Sequence, residues 1–469
     1  MSEPHELLSK VLERVNRYLV ENSDSNTRVV QCHPPEALKA KIDLSIPEQG
    51  VTVDRFLALI ETYLTYSVRT GHKQFFNQLF AGFNLPGLIG ELLISLTNTS
   101  IATYEIAPIA TLIEQELIHT LNSLIGFTQG EGTFVTGGSN ANLVAMMCAR
   151  NKMLPEAKHQ GIQSNPLTVF VSDQAHYSFL KAANVLGIGL NRVIKVETDD
   201  QGRIIPQALE NAIAKSYASG EIPFFVAATA GTTVLGAFDP LIEMAQIAQK
   251  YNLWFHIDGA WGGAAILSDR VRHLLSGSEL ADSFTWDAHK LMGVPFVCSA
   301  LLLRQPGMLT QTVSNADTDY LFHDHADAAY DLGIMSLQCG RKADALKLWL
   351  AWQYYGKRGY EQRINHLLEM TRYATKKVDE CLELELVAPV QFLNVCFRYV
   401  STDAPDLDQF NLELRDRLVK SGKSLVNYAL INGKIALRLI LANPEIAPTD
   451  LDQFFENILE VGREPKSFT

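Results

Sequence analysis

Two short stretches of the sequence place reactive side chains where an apolar run ends. In WFHIDGA (254–260), the carboxylate of Asp258 and the methyl group of Ala260 lie two residues apart, so on a strand both point to the same face. In FTWDAHKLMG (284–293), Lys290 follows an apolar run. The interval between Asp258 and Lys290 leaves room for one helix and one further strand, so we expect both side chains to reach one pocket.

An anion beside a methyl group suits a flat ring that carries a cation. A protonated pyridine nitrogen requires an anionic partner, its ring face requires a small apolar surface, and pyridoxal phosphate combines both needs. Lys290 could then bind the aldehyde of this cofactor, because burial and a cationic neighbourhood favour the neutral amine. Taken alone, Asp258 is better explained as the start of a loop and Lys290 as a surface lysine. Their joint placement favours the cofactor site.

A glycine-rich turn offers a partner for the phosphate. In TFVTGGSNANLV (133–144), the turn precedes a helical run, so free backbone N–H groups and the positive end of the helix dipole lie there. Gly138, Ser139 and Asn142 are therefore candidate contacts of the phosphate. Such a turn could also serve only to cap a helix, and it is neither a Walker loop nor a G-x-G-x-x-G motif.

Further strand ends carry side chains that could face the ring or the phosphate. His176 follows the run LTVFVS, and its imidazole could stack on the ring face opposite Ala260, although a lone histidine is often structural. His289 precedes Lys290 and could contact the phosphate. Three hydroxyl groups in VAATAGTTVLGAFDP could reach the phenolic oxygen of the ring or the substrate: Thr229, Thr232 and Thr233.

Alternating apolar runs and helical patterns must position these side chains. Between about residues 75 and 305 the apolar runs are LTVFVS, RVIKVE, FFVAATA, WFHIDGA and SALLLR. Strands separated by helices predict an α/β fold with a mainly parallel sheet and flanking helices. In such a sheet the ligand lies at the carboxyl ends of the strands, where these candidate residues fall.

The rest of the chain adds an N-terminal helix and a smaller α/β unit. Residues 5–20 place apolar side chains on one helical face, namely Leu7, Leu8, Val11, Leu12, Val15 and Leu19. Residues 335–380 are predicted to form long helices, and after them strands alternate with helices near 407–421 and 448–461. We predict an N-terminal helical segment (1–75), a large cofactor-binding domain (76–365) and a small C-terminal α/β domain (366–469).

Composition narrows the classes of partner. The 469-residue chain is 47% apolar and 20% charged, so it can bury a large core. Its net charge of −12 argues against nucleic acid or an anionic membrane as the main partner and favours a small molecule. The six cysteines show neither a C-x-x-C pair nor zinc spacing, so we expect reduced thiols and no metal site. Without a signal peptide or an apolar membrane span, a soluble, cytoplasmic protein is expected.

At the level of motifs, the chain resembles the group II pyridoxal-phosphate-dependent decarboxylases of fold type I, in the branch of glutamate decarboxylase and cysteine sulfinate decarboxylase. The resemblance covers about residues 50–465 and is carried by TGHKQFFNQLFAG, NTSIATYEIAPI, ATAGTTVLGAFDP, HIDGAWGG, HKLMG and QCGR. It implies pyridoxal 5'-phosphate as the cofactor. It also implies a homodimer with the active site at the subunit interface, which would give the N-terminal helix a partner.

The resemblance also implies roles for individual residues. Lys290 would bind the cofactor covalently, Asp258 would pair with the pyridine nitrogen, and His176 would stack on the ring. Ser139 and His289 would contact the phosphate. In ALRLILANP, Arg438 would hold the α-carboxylate of the substrate.

The substrate expected from this resemblance is a small acidic amino acid, with cysteine sulfinate or aspartate ahead of glutamate. The residues that match the pocket for the side-chain acid are Gln78, Phe80, Ser100 and Ala102. Phe80 and Ser100 resemble the cysteine sulfinate branch. Ala102 departs from both branches, which carry an aromatic residue there, so the pocket is expected to have extra volume.

The stretch YLFHDHADAAYDLG (320–333) resembles a loop that carries a tyrosine as the proton donor to Cα. Here the loop is about two residues shorter, and the place of the tyrosine falls on Ala326. His325 or Tyr330 could act as the donor instead, since imidazole and phenol can both serve as general acids. The alternatives for the histidines of this loop are a solvated polar surface and, less favoured, a metal site.

Two rival classes remain after the resemblance is considered. One is another pyridoxal-phosphate enzyme, namely an aromatic amino acid decarboxylase, a diaminobutyrate decarboxylase or an aldehyde-forming oxidative relative. The other is a non-enzymatic dimer module that keeps only the fold. Retention of Lys290, Asp258, His176 and Arg438 together argues against the second class.

Overall fold

The protein is described by a computed structural model that covers residues 3–24, 26–315, 320–323, 326–401 and 404–464. The chain folds into two compact units. The large unit comprises Asn84–Leu368 and Val390–Phe392, and the small unit comprises Met1–Phe83, Glu369–Pro389 and Leu393–Thr469. The N-terminal residues thus cluster with the C-terminal part of the chain. The three-domain division predicted from the sequence, 1–75, 76–365 and 366–469, stays a prediction.

The strands and helices below are numbered along the chain. The strands are β1 (Phe75–Phe76), β2 (Glu131–Val135), β3 (Leu167–Ser172), β4 (Val193–Val196), β5 (Ile222–Thr229), β6 (Trp254–Gly259), β7 (Ser283–Asp287), β8 (Ser299–Leu303), β9 (Leu384–Leu386), β10 (Asn394–Tyr399), β11 (Leu425–Ile431) and β12 (Lys434–Ile440). The helices are α1 (Glu3–Glu21), α2 (Pro35–Lys39), α3 (Val53–Tyr66), α4 (Leu85–Thr97), α5 (Pro108–Ile125), α6 (Gly138–Met153), α7 (Ala157–Gln160), α8 (Ser178–Val185), α9 (Pro206–Ala218), α10 (Leu241–Lys250), α11 (Met308–Val313), α12 (Ala345–Asp379), α13 (Leu407–Ser421) and α14 (Pro448–Arg463). Within the described residues, no helix is long and apolar enough to cross a membrane.

The large unit is built on a seven-stranded sheet with the strand order β2-β8-β7-β6-β5-β3-β4. Its strands run parallel except β8, which is antiparallel to both of its neighbours. The predicted α/β fold with a mainly parallel sheet is therefore confirmed, as are the apolar runs chosen as strands. Side chains on β3, β6, β7 and β8 are buried on both faces, as expected for strands covered by helices on either side.

One connection differs from the expectation. The sequence left room for a helix between Asp258 and Lys290, but the chain forms only short 3-10 helices there, at Gly263–Leu267, Arg272–Leu275 and Ser278–Leu280. A Cβ atom at Gly262 would lie 2.5 Å from the carbonyl oxygen of Ala230, so the chain turns tightly against the end of β5. Glycines and serines then interrupt the segment too often for a regular α-helix. β6 and β7 are nevertheless adjacent and parallel.

Helix boundaries in the large unit follow local sequence signals. The side chain of Asn84 caps α4 by accepting from the N–H of Gly87, and Pro108 opens α5. The α5 helix ends at Gly126, whose φ of 92° lies in the left-handed region that glycine adopts readily. In α6, small side chains such as Ala141 and Ala145 are fully buried, which lets this helix approach the sheet closely.

The small unit contains a five-stranded sheet in the order β1-β11-β12-β10-β9. β1 is parallel to β11, and the other pairs are antiparallel. The helices predicted at 407–421 and 448–461 are present as α13 and α14. The predicted N-terminal helix is present as α1, and Arg14 of α1 pairs with Glu61 of α3. Leu8 and Leu12, from the apolar face of α1, stay exposed.

Candidate active site

Four strand ends of the large unit deliver the side chains that the sequence analysis selected. β7, β6, β5 and β3 are consecutive in the sheet. Thr229 ends β5 opposite Asp258 on β6, and the loops after β3 and β7 carry His176 and Lys290. Because these strands are parallel, their carboxyl ends lie at one edge of the sheet. The predicted amine, carboxylate, hydroxyl and imidazole therefore belong to the same edge.

The carboxylate of Asp258 is buried and is held by two N–H donors. The side-chain amide of Asn142 donates to Oδ2 over 2.9 Å, and the backbone N–H of Ala260 donates to Oδ1 over 3.1 Å. Hydrogen bonds of this kind favour the ionised form of a carboxylate. Asp258 thus suits a cationic ring nitrogen. The amide nitrogen of Asn142 is thus bonded to Asp258. The role of Asn142 as a phosphate contact stays a prediction.

The side chain of Lys290 forms an ion pair with Asp287, with 3.2 Å between Nζ and Oδ2. The same oxygen lies 3.8 Å from Nε2 of His289. The backbone of Cys298 fixes the His289 ring, because Nδ1 lies 3.0 Å from the carbonyl oxygen and 3.2 Å from the nitrogen of Cys298. Burial lowers the pKa of His289 from its ordinary value, so its neutral form is favoured.

The start of α6 has the features of a phosphate cradle. Gly137 precedes the helix with a φ of 116°, and a Cβ atom at Gly138 would lie 2.8 Å from Oδ2 of Asp287. The first N–H groups of a helix have no acceptor within it and attract anions. Ser139 follows in the first turn. Residue 138 thus has no room for a side chain at the point where a phosphate would approach the backbone.

Buried polar atoms left without a partner support the same assignment. Among the described residues, the hydroxyl of Thr229 and Oδ1 of Asp287 have no hydrogen-bond partner. Unpaired polar groups at this depth are costly, which makes them candidates for contact with a bound molecule. The hydroxyl of Thr229, the amine of Lys290 and the carboxylate of Asp258 fit the aldehyde and ring of pyridoxal phosphate. Oδ1 of Asp287 can only accept, so it suits an N–H or O–H group rather than the phosphate.

His176 lies at the start of the segment that leads into α8. The N–H of Ser178 donates to Nδ1 of His176 over 3.3 Å, and the ring of Tyr177 lies 4.2 Å away between centroids. Burial lowers the pKa of His176, against the opposing effect of Asp258. The imidazole is therefore mainly neutral at neutral pH, which suits stacking on a cationic ring.

The predicted substrate residues divide between the two units. In the small unit, Arg438 is buried on β12 and its Nη2 donates to the carbonyl oxygen of Asn77 over 3.2 Å, next to Gln78. Phe80 packs near Phe75, with 6.3 Å between ring centroids. Of the two predicted residues in the large unit, Ser100 bonds the backbone of the QCGR motif and Ala102 is buried.

The end of the loop predicted to carry the proton donor is anchored on the segment that contains Ala102. The rings of Tyr330 and Tyr104 lie 5.3 Å apart, and Asp331 accepts from the N–H of Tyr104 over 2.8 Å. The N–H of Gly333 donates to the carbonyl oxygen of Ala102 over 2.8 Å. Tyr330 is partly exposed. His325, the other proposed donor, lies outside the described residues.

Comparison with known proteins agrees with this geometry. The pyridoxal-dependent decarboxylase conserved domain matches residues 35–400. The chain belongs to the pyridoxal-dependent decarboxylase family. Members of this family use pyridoxal phosphate, so the chain is a pyridoxal-phosphate-dependent amino acid decarboxylase.

Individual relatives match nearly the whole chain. Cysteine sulfinic acid decarboxylase of Mus musculus is 39% identical over 464 residues, covering 96% of this chain and 94% of that protein. Acidic amino acid decarboxylase GADL1 of Xenopus tropicalis is 37% identical, covering 96% and 91%. The crystal structure of mouse CSAD in apo form superposes with a TM-score of 0.95 at 39% identity, covering 98% of this chain and 99% of that one. These matches confirm the resemblance to the branch of glutamate decarboxylase and cysteine sulfinate decarboxylase.

Two residues at this site were not selected from the sequence. Asp287 was overlooked, although a carboxylate three residues before a lysine at a strand end is a recognisable signal. His256 was also overlooked, although it precedes Asp258 by two residues on β6 and so shares its face of the sheet.

Proposed function

We propose that this decarboxylase acts on a small acidic L-amino acid, with cysteine sulfinate or aspartate preferred to glutamate, and releases the amine and carbon dioxide. The observation that carries the proposal is the near full-length similarity to two groups of relatives that are both named for acidic substrates. The Phe80 and Ser100 pair, which resembles the cysteine sulfinate branch, supports the order of preference.

When bound, pyridoxal phosphate supplies the electron sink that makes loss of the α-carboxylate possible. Lys290 would hold the cofactor covalently through its amine. Asp258 would pair with the ring nitrogen, and the neutral imidazole of His176 and the methyl group of Ala260 would contact the ring. Thr229 would donate its hydroxyl to the phenolic oxygen.

The remaining groups anchor the cofactor phosphate and the substrate. The first turn of α6, with Gly138 and Ser139, binds the phosphate, and His289 assists. Arg438 holds the α-carboxylate of the substrate. Residues Gln78, Phe80, Ser100 and Ala102 receive the side-chain acid. His325 or Tyr330 then delivers the proton to Cα.

We also propose that the active enzyme is a homodimer in the cytoplasm. Several apolar side chains of the large unit are exposed on and near α4 and α5, namely Ile89, Leu92, Leu96, Ile106, Ile109 and Leu112. Leu96 exposes 79% of its surface, which is costly for a side chain that remains in water. A second copy of the chain would cover this patch. All six cysteines are free thiols, which supports a reducing compartment.

A panel of amino acids tests the proposed substrate class. The purified enzyme with cofactor is offered cysteine sulfinate, aspartate, glutamate, 2,4-diaminobutyrate, tyrosine and tryptophan, and carbon dioxide and amine are measured for each. We expect the highest kcat/KM with cysteine sulfinate or aspartate. Preference for a basic or aromatic amino acid would refute the proposal.

An aldehyde-forming activity is the second candidate, and Ala326 is the specific observation that favours it. Without a tyrosine at this position, protonation of Cα would be slow, so that carbon could react with molecular oxygen before it receives a proton. The same panel, extended to aldehyde and peroxide, separates the two activities. We expect amine to be the main product.

A further inference from the structure

A buried row of polar side chains lies behind Asp258. His256 precedes Asp258 by two residues on β6, and Ser283 and Thr285 pair with these two residues on β7. Asn142 comes from the beginning of α6. His256, Ser283, Thr285 and Asn142 each expose at most 1% of their surface. Polar groups at this depth are normally hydrogen-bonded, so the direction of each bond can be derived from the chemistry of its two partners.

The orientation of the Asn142 amide follows from its contact with Asp258. A carboxylate oxygen only accepts, so the amide nitrogen must face Asp258 at 2.9 Å, and it also donates to the hydroxyl oxygen of Ser178 at 2.9 Å. The carbonyl oxygen therefore faces the other way. There it accepts from the hydroxyl of Thr285 at 2.8 Å and lies 3.0 Å from Nε2 of His256. Because this oxygen only accepts, Nε2 of His256 carries a proton.

The other ring nitrogen of His256 is satisfied from the opposite direction. Nδ1 lies 2.8 Å from the hydroxyl oxygen of Ser283, and this oxygen accepts from the indole N–H of Trp254 at 2.8 Å. An indole N–H only donates, so the Ser283 hydroxyl is free to donate to Nδ1. Every bond in the row thus points the same way, from Trp254 through Ser283, His256 and Asn142 to the carboxylate of Asp258.

This row requires a neutral His256, and the surroundings provide one. The imidazole lies between the aromatic rings of Phe225 and Phe179, with centroid distances of 5.6 Å and 6.0 Å. Burial lowers the pKa of His256 to about 3. At neutral pH the ring therefore has one proton, and the contact with Asn142 determines that Nε2 carries it.

We propose that Asn142, oriented by His256, is a positioning residue that keeps the carboxylate of Asp258 turned toward the ring nitrogen of the cofactor. The amide of Asn142 occupies Oδ2 while the backbone N–H of Ala260 occupies Oδ1, so neither oxygen can rotate away without losing a donor. This inference rests on the proposed pairing of Asp258 with the pyridine nitrogen. A purely structural alternative is that the row only satisfies buried polar groups.

The protonation of the ring nitrogen distinguishes these two readings. The apoenzyme is loaded with pyridoxal phosphate that carries ¹⁵N in its ring, and the nitrogen chemical shift reports whether the ring is protonated. In Asn142→Leu we expect this shift to move toward the unprotonated value and the dissociation constant of the cofactor to rise about tenfold, because a hydrogen bond to a charged group is lost. The kcat value should fall while KM changes little, since Asn142 acts through Asp258.

A control variant removes a comparable buried bond elsewhere in the same sheet. The hydroxyl of Thr168 on β3 lies 2.9 Å from that of Ser216 and takes no part in the row. Thr168→Val should lower stability but keep the wild-type ¹⁵N shift and cofactor affinity. A folded Asn142→Leu with the same ¹⁵N shift and affinity as Thr168→Val would overturn the proposal.

Three further variants separate this inference from the role of Asp258 and provide a test should Asn142→Leu misfold. If Asp258→Asn moves the ¹⁵N shift and Asn142→Leu does not, only the positioning role fails. If neither variant moves the shift, the pairing of Asp258 with the ring fails as well.

If Asn142→Leu does not fold, His256→Phe and His256→Gln test the proposal instead. We expect His256→Phe to move the shift and His256→Gln, which keeps an N–H donor, to restore it. Equal shifts in both variants would contradict the proposal.

Discussion

The amine of Lys290 is paired with the carboxylate of Asp287, which lies three residues earlier and 3.2 Å away. Asp287 also packs against the start of α6, because a Cβ atom at Gly138 would lie 2.8 Å from its Oδ2. One buried anion therefore lies beside both the amine proposed to bind the cofactor aldehyde and the helix start proposed to bind its phosphate. The amine must leave this ion pair before it can bind the aldehyde.

Replacing Asp287 by asparagine should accelerate cofactor uptake. The variant keeps the shape of the side chain but removes the negative charge that pairs with the amine of Lys290 and repels a phosphate. We expect the association rate constant of pyridoxal phosphate with the apoenzyme to rise about tenfold, equivalent to about 1.4 kcal/mol. Stopped-flow absorbance measures this rate. Asp269→Asn, at a side chain that is 80% exposed, changes the net charge equally and should leave the rate unchanged. Slower uptake by Asp287→Asn would count against this role.

Replacing Asp258 by alanine should depress turnover far more than cofactor binding. The variant removes the anion proposed to keep the ring nitrogen protonated, while Lys290 and the start of α6 remain. We expect kcat to fall by about a hundredfold or more, as for the loss of other preorganised charges in active sites. Steady-state kinetics with saturating cofactor give kcat, and the absorption of lysine-bound cofactor gives occupancy. Near-normal turnover would remove the assignment of Asp258.

The sequence predicted most of the large unit because its signals are local. Apolar runs marked the buried strands, and Asp258 and Lys290 could be placed because parallel strands end at one edge of the sheet. The order of the strands and the antiparallel direction of β8 depend on contacts between distant segments, which periodicity does not encode. The same limit applies to the segment between β6 and β7. It is long enough for an α-helix, but close packing at Gly262 accompanies short 3-10 helices instead.

The site was predicted less completely than the fold. A glycine-rich turn before a helix indicates an anion site, but it does not tell which way each side chain of the first turns points. The contact of Asn142 with the phosphate stays a prediction for this reason, and the structure adds a bond from its amide to Asp258 that the sequence did not indicate. His256 was missed because an apolar strand with one histidine gives no sign of a row of hydrogen bonds across α6, β6 and β7.

Restoring an aromatic ring at position 102 should narrow the choice of substrate. Ala102 is buried, and the family resemblance predicts an aromatic residue at its position. In Ala102→Phe the extra ring takes up volume in the proposed pocket, so the longer acid should lose more than the shorter one. We expect kcat/KM for glutamate to fall about tenfold or more relative to aspartate, equivalent to about 1.4 kcal/mol. Ala102→Val serves as an intermediate size. An unchanged ratio in Ala102→Phe would place residue 102 outside the pocket.

The buried His256 should make stability depend on pH. Its pKa is about 3 in the folded chain because of burial, against about 6.5 in an unfolded chain. As pH falls below about 6.5, the unfolded chain binds a proton that the folded chain does not, so unfolding becomes easier by up to about 1.4 kcal/mol per pH unit until about pH 3. The free-energy advantage of the wild type over the non-titrating His256→Gln should therefore shrink as pH falls.

Urea unfolding at pH 7.5, 6.5 and 5.5 measures this difference. The wild type must be compared with a variant because a second buried group acts in the opposite direction. Burial raises the pKa of Asp239 to about 7, so this carboxyl makes the folded state more stable as pH falls. Subtracting the His256→Gln curve cancels that contribution. The exposed His159, replaced by glutamine, is the control and should give a constant difference. A constant difference for His256→Gln would show that its imidazole is not neutralised by burial.

The loop before Tyr330 has Ala326 at the position where the family resemblance predicts a tyrosine as the proton donor. Tyr330 packs on Tyr104 with 5.3 Å between ring centroids, and Asp331 accepts from the N–H of Tyr104. These contacts hold Tyr330 at the end of the loop while leaving it partly exposed. We expect either Tyr330→Phe or His325→Ala to slow protonation of Cα, since each removes one candidate acid.

Amine, aldehyde and peroxide are measured together for both variants. Loss of the true donor should lower the amine yield by about tenfold or more, in line with the usual contribution of a general acid, and raise aldehyde and peroxide in equal amounts. Tyr320→Phe is the matched control, because this tyrosine lies at the other end of the loop and is 79% exposed. If neither Tyr330→Phe nor His325→Ala differs from Tyr320→Phe, both residues are bystanders, and the proton must come from His176 or from water.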